Sequence, residues 1–274
     1  MLLFGSGALI ALIAPASTRQ SLARRFRVTT RIAIAFAVLT TLLMLPLQAG
    51  GGADDSSGFD PALFTALLGA RIGELWMLRV ALAGAVAALA LAGRDAASRA
   101  LLVASGALLA TLALIGHSAT RSGLAGELQE FNQAVHLLSA SFWLGGLAPL
   151  LLTLRDLRSE PGNRDAMTTL RRYSLVGQIA VAVVIASGAI NTRLIVHAWP
   201  LDWRSSYQFM LAAKIGLVAV ITFVALVNRY RVAPLLRGDA RRAAALLSRN
   251  IWVELALGAG VLALVSAFAT LDPA

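Results

Sequence analysis

The sequence predicts an all-α fold, a polytopic membrane bundle of about eight transmembrane helices, and three observations carry that expectation. Hydrophobic residues fill 58% of the 274 positions, more apolar surface than a soluble fold has interior to hide. Charged residues supply only 14%, against about a quarter in ordinary soluble domains. The apolar residues gather in long runs separated by short arginine-bearing segments. Runs near the roughly 20 residues needed to cross the hydrocarbon are too long for barrel strands, and helices satisfy their own backbone amides in lipid.

Taken in order, the spans fall at residues 2–16, 31–49, 74–92, 100–116, 132–154, 173–190, 207–228 and 251–271. The first is short, so a start inside a longer helix fits its length. It reads as a retained span and not a cleaved signal, because its first residues lack a basic lead and the arginine cluster follows the apolar stretch. The second begins at the end of that cluster, at Arg31. Between the second and third spans, residues 50–73 open with Gly50, Gly51 and Gly52 and then carry a short apolar stretch, 61–70, expected as an interfacial helix. The remaining five spans are bounded alternately by arginine-rich segments and by the short segments 117–131 and 191–206. No segment has room for a separate soluble domain, so residues 1–274 are expected to form one transmembrane domain. Neither an internal repeat nor a low-complexity tract stands out beyond the Ala/Leu bias of membrane spans.

Basic residues resist translocation, so their distribution sets the orientation. One set of segments holds Arg19, Arg24, Arg25, Arg27, Arg31, Arg94, Arg99, Arg155, Arg158, Arg164, Arg171, Arg172, Arg229, Arg231, Arg237, Arg241, Arg242 and Arg249. These 18 of the 24 basic residues face 6 acidic ones, whereas the opposite side has 6 basic against 8 acidic. The first set is therefore cytoplasmic and both termini are expected on the periplasmic side. The formal net charge of +10 is then a topology signal and not a nucleic-acid footprint.

With no cysteine, any metal site must use imidazole, thioether, carboxylate or amide groups. On this topology all three histidines lie on the outer side, as do Met1, Met44, Met77 and Met210, with only Met167 cytoplasmic. Imidazole and thioether together suit copper, the thioether favouring Cu(I). His136 sits about one turn into the fifth span, where an ionisable residue is costly unless it meets a cavity or a partner. Asn132, Ser139 and Trp143 share its helix face. Its two readings are a ligand and a histidine bonded across helices for packing. His117, in Gly116-His117-Ser118, ends the fourth span as either a ligand or an interfacial residue. His197 lies beside Trp199 and Trp203, a pattern of the aromatic belt.

Tyr207, Met210 and Lys214 share a face of the seventh span, and Lys214 is the only lysine in the chain. It either pairs with a partner such as Glu74 or snorkels to the surface. Glu74 and Met77, one turn apart, either line a cavity or, with Arg79, set where the third span enters the membrane. The small-residue pairs Gly145-Gly146, Ser187-Gly188 and Ala256 with Gly260 are expected to allow close helix packing. No Walker loop, dinucleotide fingerprint, nucleophile elbow or HExxH appears, so neither ATP-driven pumping nor hydrolysis is expected and no enzymatic activity is assigned.

The segment His136-Leu137-Leu138-Ser139-Ala140-Ser141-Phe142-Trp143-Leu144-Gly145-Gly146-Leu147 resembles the His-Leu-Leu…Trp-x-Gly-Gly-Leu signature of the copper resistance D (CopD) family. Arg172-Tyr173-Ser174, Ser187-Gly188 with Asn191-Thr192, Tyr207 to Lys214 running on to Asn228-Arg229-Tyr230-Arg231, Glu254 to Leu257 and Leu271-Asp272-Pro273 are similar to that family too. The resemblance covers most of residues 70–274. It implies copper handling from the periplasmic face of the bacterial inner membrane, with His136 and Lys214 on characteristic positions. Members often work beside a periplasmic copper-binding protein of the CopC type. The short first span and the lack of a fused CopC-like domain or a Met/His-rich tract depart from the fuller pattern, so a separate donor is expected.

The expectation is a copper transporter taking the ion from the periplasm toward the cytoplasm. Its outer site would use His136 and His117, with Met44, Met77, Met210 and Glu74 as supplements and Asn132, Trp143, Lys214 and Tyr207 as supporting polar groups. His197 is a weaker candidate. The rivals are an intramembrane redox protein with a b-type haem between two histidines, and a copper-binding partner of CopC that does not transport. Lipid is an expected partner and nucleic acid is not.

Overall fold

The computed structural model of the protein describes residues 1–50, 59–115, 123–196 and 205–268, which fold into helices with no strand among them. Helix α1 (Leu2–Ala8) runs into a wider π turn, Leu9–Ile13, and stops where Ala14 turns extended before Pro15. A residue preceding proline is pushed out of the helical region by the ring. Helix α2 (Ala16–Gly50) follows at once. The short α3 (Pro61–Leu68) has Asp60 as N-cap, its carboxylate accepting from the Ala62 and Leu63 amides, and Pro61 at the first helical position. Helix α4 (Arg71–Leu91) leads to Gly93, whose φ of 79° supplies the left-handed turn that stops it.

Helix α5 (Arg99–Ala110), capped by Ser98, tightens into a 3₁₀ turn, Thr111–Leu114. Then come α6 (Gly123–Ser159), α7 (Arg164–Val196), α8 (Ser206–Val227) and α9 (Ala240–Phe268). Between the last two, the chain continues through a π turn, Asn228–Val232, and a 3₁₀ turn, Ala233–Arg237.

Each expected span is centred on one of these helical stretches, and 61–68 stands apart as the expected separate short helix. Among the described residues six helices are long and apolar enough to cross a membrane, while Leu2–Ile13 and Arg99–Leu114 are shorter apolar helices. Helices α2, α6, α7 and α9 overrun their predicted spans because hydropathy marks only the lipid-embedded part. The 35 residues of α2 extend about 52 Å, against about 30 Å of hydrocarbon. Its surplus first turns carry the arginine cluster expected on the cytoplasmic side.

Contacts between helix ends sort the molecule into the same two sides as the charge count. On one side Arg25 Nη1 bonds both Asp156 oxygens at 2.8 and 2.7 Å, Ser17 Oγ donates to Asp165 at 2.6 Å, and Arg229 donates to Ser174 Oγ at 2.7 Å. On the other, Arg71 pairs with Glu130 at 3.3 Å. Such exposed pairs contribute about 0–1 kcal/mol each, so they mark the faces without holding the bundle together.

Helix α6 is the hub. In its span 56% of residues are buried within the protein, against 11–22% in the other five long helices, and it packs against α1, α5, α7 and α9. Two adjacent glycines let two neighbours approach it. A Cβ on Gly145 would lie 2.8 Å from the Met1 carbonyl oxygen and 3.0 Å from Gly5 Cα, so α1 crosses there almost backbone to backbone. Gly146 abuts the Tyr173 ring of α7, where a Cβ would lie 2.6 Å from the ring edge. Tyr173 stacks on Phe142 with ring centroids 5.7 Å apart and donates its hydroxyl proton to the Trp143 carbonyl. The expected close packing of Ala256 with Gly260 does not occur through the glycine, since nothing lies within 4 Å of a Cβ built there.

Candidate functional site

Helices α6 to α9 stack their inward residues in layers seven positions apart, a rise of about 10.5 Å per layer. Down α8 and into the π turn that follows it the layers are Lys214, Ile221 and Asn228; down α7 they are Ser187, Ala180 and Tyr173; His136 and Trp143 continue the pattern on α6, and Val261 and Glu254 on α9. The outer and inner layers are polar. The middle one is an apolar plug of Trp143, Ala180, Ile221 and Val261, all buried in one cluster.

A cavity of about 1460 Å³, mostly apolar, runs alongside the bundle from the outer layer past the plug: its wall includes His136, Gln133, Thr192, Lys214 and Arg79 in its outer part, Trp143, Ile221 and Val261 at the plug, and Phe223 and Leu226 beyond it. His136 Nδ1 is 3.0 Å from Ser187 Oγ. That hydroxyl donates its own proton to the Val183 carbonyl at 2.6 Å, so it accepts from the imidazole and Nδ1 carries the hydrogen. Nε2 therefore keeps a lone pair, the tautomer that suits metal ligation, with its orientation fixed from behind. Gly188 lets the ring lie close to α7: a Cβ there would be 3.3 Å from His136 Cε1. Asn132, one turn earlier, donates to the Ser187 carbonyl at 3.0 Å and to Asn191 Oδ1 at 2.8 Å, and Asn191 donates to Gln133 Oε1 at 2.7 Å. This amide ladder ties α6 to α7 and holds the imidazole in place, with the Lys214 amine as the other basic nitrogen of the outer layer.

Lys214 lines the same cavity, and among the described residues no carboxylate lies within salt-bridge reach of it. The suggested partner Glu74 is exposed in the first turn of α4 and does not line the cavity. Met77 is 53% exposed, Met44 is half-buried on α2, and Met210 packs beside Tyr207 and Leu211 against Leu264 and Val265. None of these three thioethers lines the cavity that His136 shares. Tyr207 is buried one layer above Lys214. His117 and His197, with Trp199 and Trp203, lie outside the described residues. Among those described, no three His, Asp or Glu side chains converge as a ready metal cage.

Two buried groups go beyond the sequence expectations. Arg79, expected as a flanking charge, is only 7% exposed and donates to Thr111 Oγ1 at 2.7 Å, which ties α4 to the end of α5. Removing that acceptor with Thr111→Val is expected to cost about 1–3 kcal/mol, because it leaves the buried guanidinium nitrogen with only the long 3.5 Å contact to the Leu108 carbonyl. Thermal unfolding in detergent measures this, and an unchanged midpoint would show that the contact contributes nothing. The second group is Glu254, 2% exposed at the inner layer, accepting from Asn228 Nδ2 at 2.7 Å and from the Trp143 indole. Asn250 in turn donates to Asn228 Oδ1 at 2.7 Å. The sequence does carry a signal for it, since Glu254 is an ionisable residue inside an apolar run.

Comparison with known proteins agrees with this architecture. Residues 1–127 match the family model for the copper resistance protein D-like N-terminal domain, and residues 167–268 match that for copper resistance protein D. The chain is 32% identical over all of its length to the inner membrane protein YebZ of Escherichia coli, covering 94% of it. Over 92% of its length it is 30% identical to the copper transport protein CutJ of Bacillus subtilis, of which it spans 47%. It is 29% identical over 89% of its length to copper resistance protein D of Pseudomonas syringae, covering 82% of that chain. No solved structure matches it.

Proposed function

From the premise that this chain belongs to the copper resistance protein D family and is a multi-pass inner-membrane protein, we propose that it carries copper from the periplasm toward the cytoplasm. The supporting observation is the imidazole of His136, oriented through Nδ1 by Ser187 and set in the wall of the cavity. One imidazole donor in a mostly apolar wall holds a cation weakly. That suits conduction, where an ion must bind well enough to enter and loosely enough to leave. His117 and the thioethers of Met44, Met77 and Met210, with the Glu74 carboxylate, serve in this reading as the outer approach, receiving copper from a periplasmic donor of the CopC type.

Vesicles containing the purified protein and a trapped copper indicator test the reading. Uptake above that of protein-free vesicles, faster when copper is offered on a CopC-type donor, is expected. Binding without uptake would reduce the protein to a copper-binding partner, and no binding would end the copper assignment.

Lys214 adds a second expectation. Its ammonium shares the cavity with the copper site and opposes a second positive charge, by about 1–2 kcal/mol at an effective dielectric near 20. Lys214→Gln is therefore expected to tighten copper binding about ten-fold, read by competition with a chelator of known affinity. Weaker binding in the variant would instead make the lysine an organiser of the site.

A further inference from the structure

Glu254 is the one acidic side chain buried among the described residues. It lies one layer below Val261 on α9 and on the cytoplasmic side of the plug. Its hydrogen-bond partners are neutral: the Trp143 indole on the cavity side, and Asn228, backed by Asn250, on the side nearer the cytosol. Neither lysine nor arginine lies within 4 Å of it among the described residues. A carboxylate at this depth without a cation is costly, and such residues in transport proteins mark ion or proton pathways.

The donor set narrows what the site takes. The groups that bond it are an amide and an indole N–H, and Tyr173 of the same layer is the other titratable group that faces it; none of these is a ligand that a soft copper ion prefers. A glutamine would accept from Asn228 equally well. What the carboxyl group adds is the capacity to gain and lose a proton. The same side chain touches Trp143, which is at once part of the plug and part of the cavity wall.

We propose that Glu254 is a proton-binding site that couples copper passage to inward proton movement, a step that rests on the transport reading above. With the plug closed, the carboxyl is protonated and neutral. When a copper cation leaves the outer cavity and displaces Trp143, the Glu254 O–H bond breaks and the proton passes to water on the cytoplasmic side. The carboxylate balances the cation's charge as it goes by. Once copper has left, a water-borne proton from the cavity side re-forms the O–H bond and the plug closes. The net result is one proton carried in the same direction as each cation, with no oxidant or reductant required.

Two measurements test this. In vesicles holding both a copper indicator and a pH dye, wild-type copper uptake is expected to acidify the lumen. Glu254→Gln is expected to lower the copper-linked acidification at least about ten-fold while leaving chelator-competition binding at the outer site within about two-fold of wild type. Copper uptake with no acidification, with alkalinisation, or with equal acidification in the variant would overturn the coupling. Infrared difference spectra of the wild-type protein keep the test independent of how the variant folds. Copper addition is expected to remove a protonated-carboxyl band, and a band that stays put would overturn the proton site. Wild-type vesicles that take up no copper would instead overturn the transport reading, and the copper-linked band would then decide by itself whether Glu254 releases a proton.

Discussion

Replacing His136 with alanine is expected to lower copper affinity about a hundred-fold or more and to reduce cellular copper accumulation to the level of cells lacking the protein. The imidazole is the histidine donor that lines the described outer cavity, and the amides and hydroxyls around it are poor substitutes for a borderline or soft metal. Ser187→Ala is expected to act in the same direction and less strongly, by about ten-fold, because it leaves the ligand in place but releases its tautomer and orientation. The graded pair distinguishes a ligand role from a packing role. If His136 only packed α6 against α7, both variants would shift thermal stability and leave chelator competition unchanged. Unaltered binding and uptake in His136→Ala would remove the residue from the mechanism.

A comparably large effect is expected from Gly146→Val, here on assembly. The new Cβ would sit 2.6 Å from the Tyr173 ring, which is clamped by its stack on Phe142 and its bond to the Trp143 carbonyl. The ring cannot step aside without opening the α6–α7 contact, so the substitution is expected to cost about 3 kcal/mol or more. Gly260→Ala is the control: nothing lies within 4 Å of its Cβ, and the gain in helix propensity should stabilise by about 0.5–1 kcal/mol. Unfolding midpoints in detergent read both. Equal effects at the two glycines would show that the Tyr173 contact does not determine the packing.

Most of this fold is legible in the chain because the bilayer imposes a simple code: apolar runs of membrane length, and arginines on one side. Helix limits are less legible, since α2 and α6 continue through polar turns that hydropathy ignores. His136 stands out as an ionisable group inside a span, and Asn132 as its neighbour on the same face. Periodicity along one helix does not say that Ser187 and Asn191, on another, meet them. Nor does it show that Met44, Met77 and Met210 lie away from the cavity, because sidedness gives depth but not the direction in which a helix turns its side chains. Arg79 is misleading for the same reason: a charge eight residues into a helix looks like a flank until the neighbouring Thr111 supplies an acceptor. Glu254 enters the sequence analysis through family resemblance alone, although its isolation in an apolar run is physical information in its own right.

The apolar layer of Trp143, Ala180, Ile221 and Val261 also has an electrical consequence. A cell interior negative by about 100 mV lends about 2.3 kcal/mol to every elementary charge moved inward. A dry seal at mid-depth would put most of that voltage across one residue layer, and in the proposed reading a cation at His136 would wait at the top of the drop. A small side chain in place of Ile221 would let water through the seal, and the bundle would discharge the membrane whether or not copper was present.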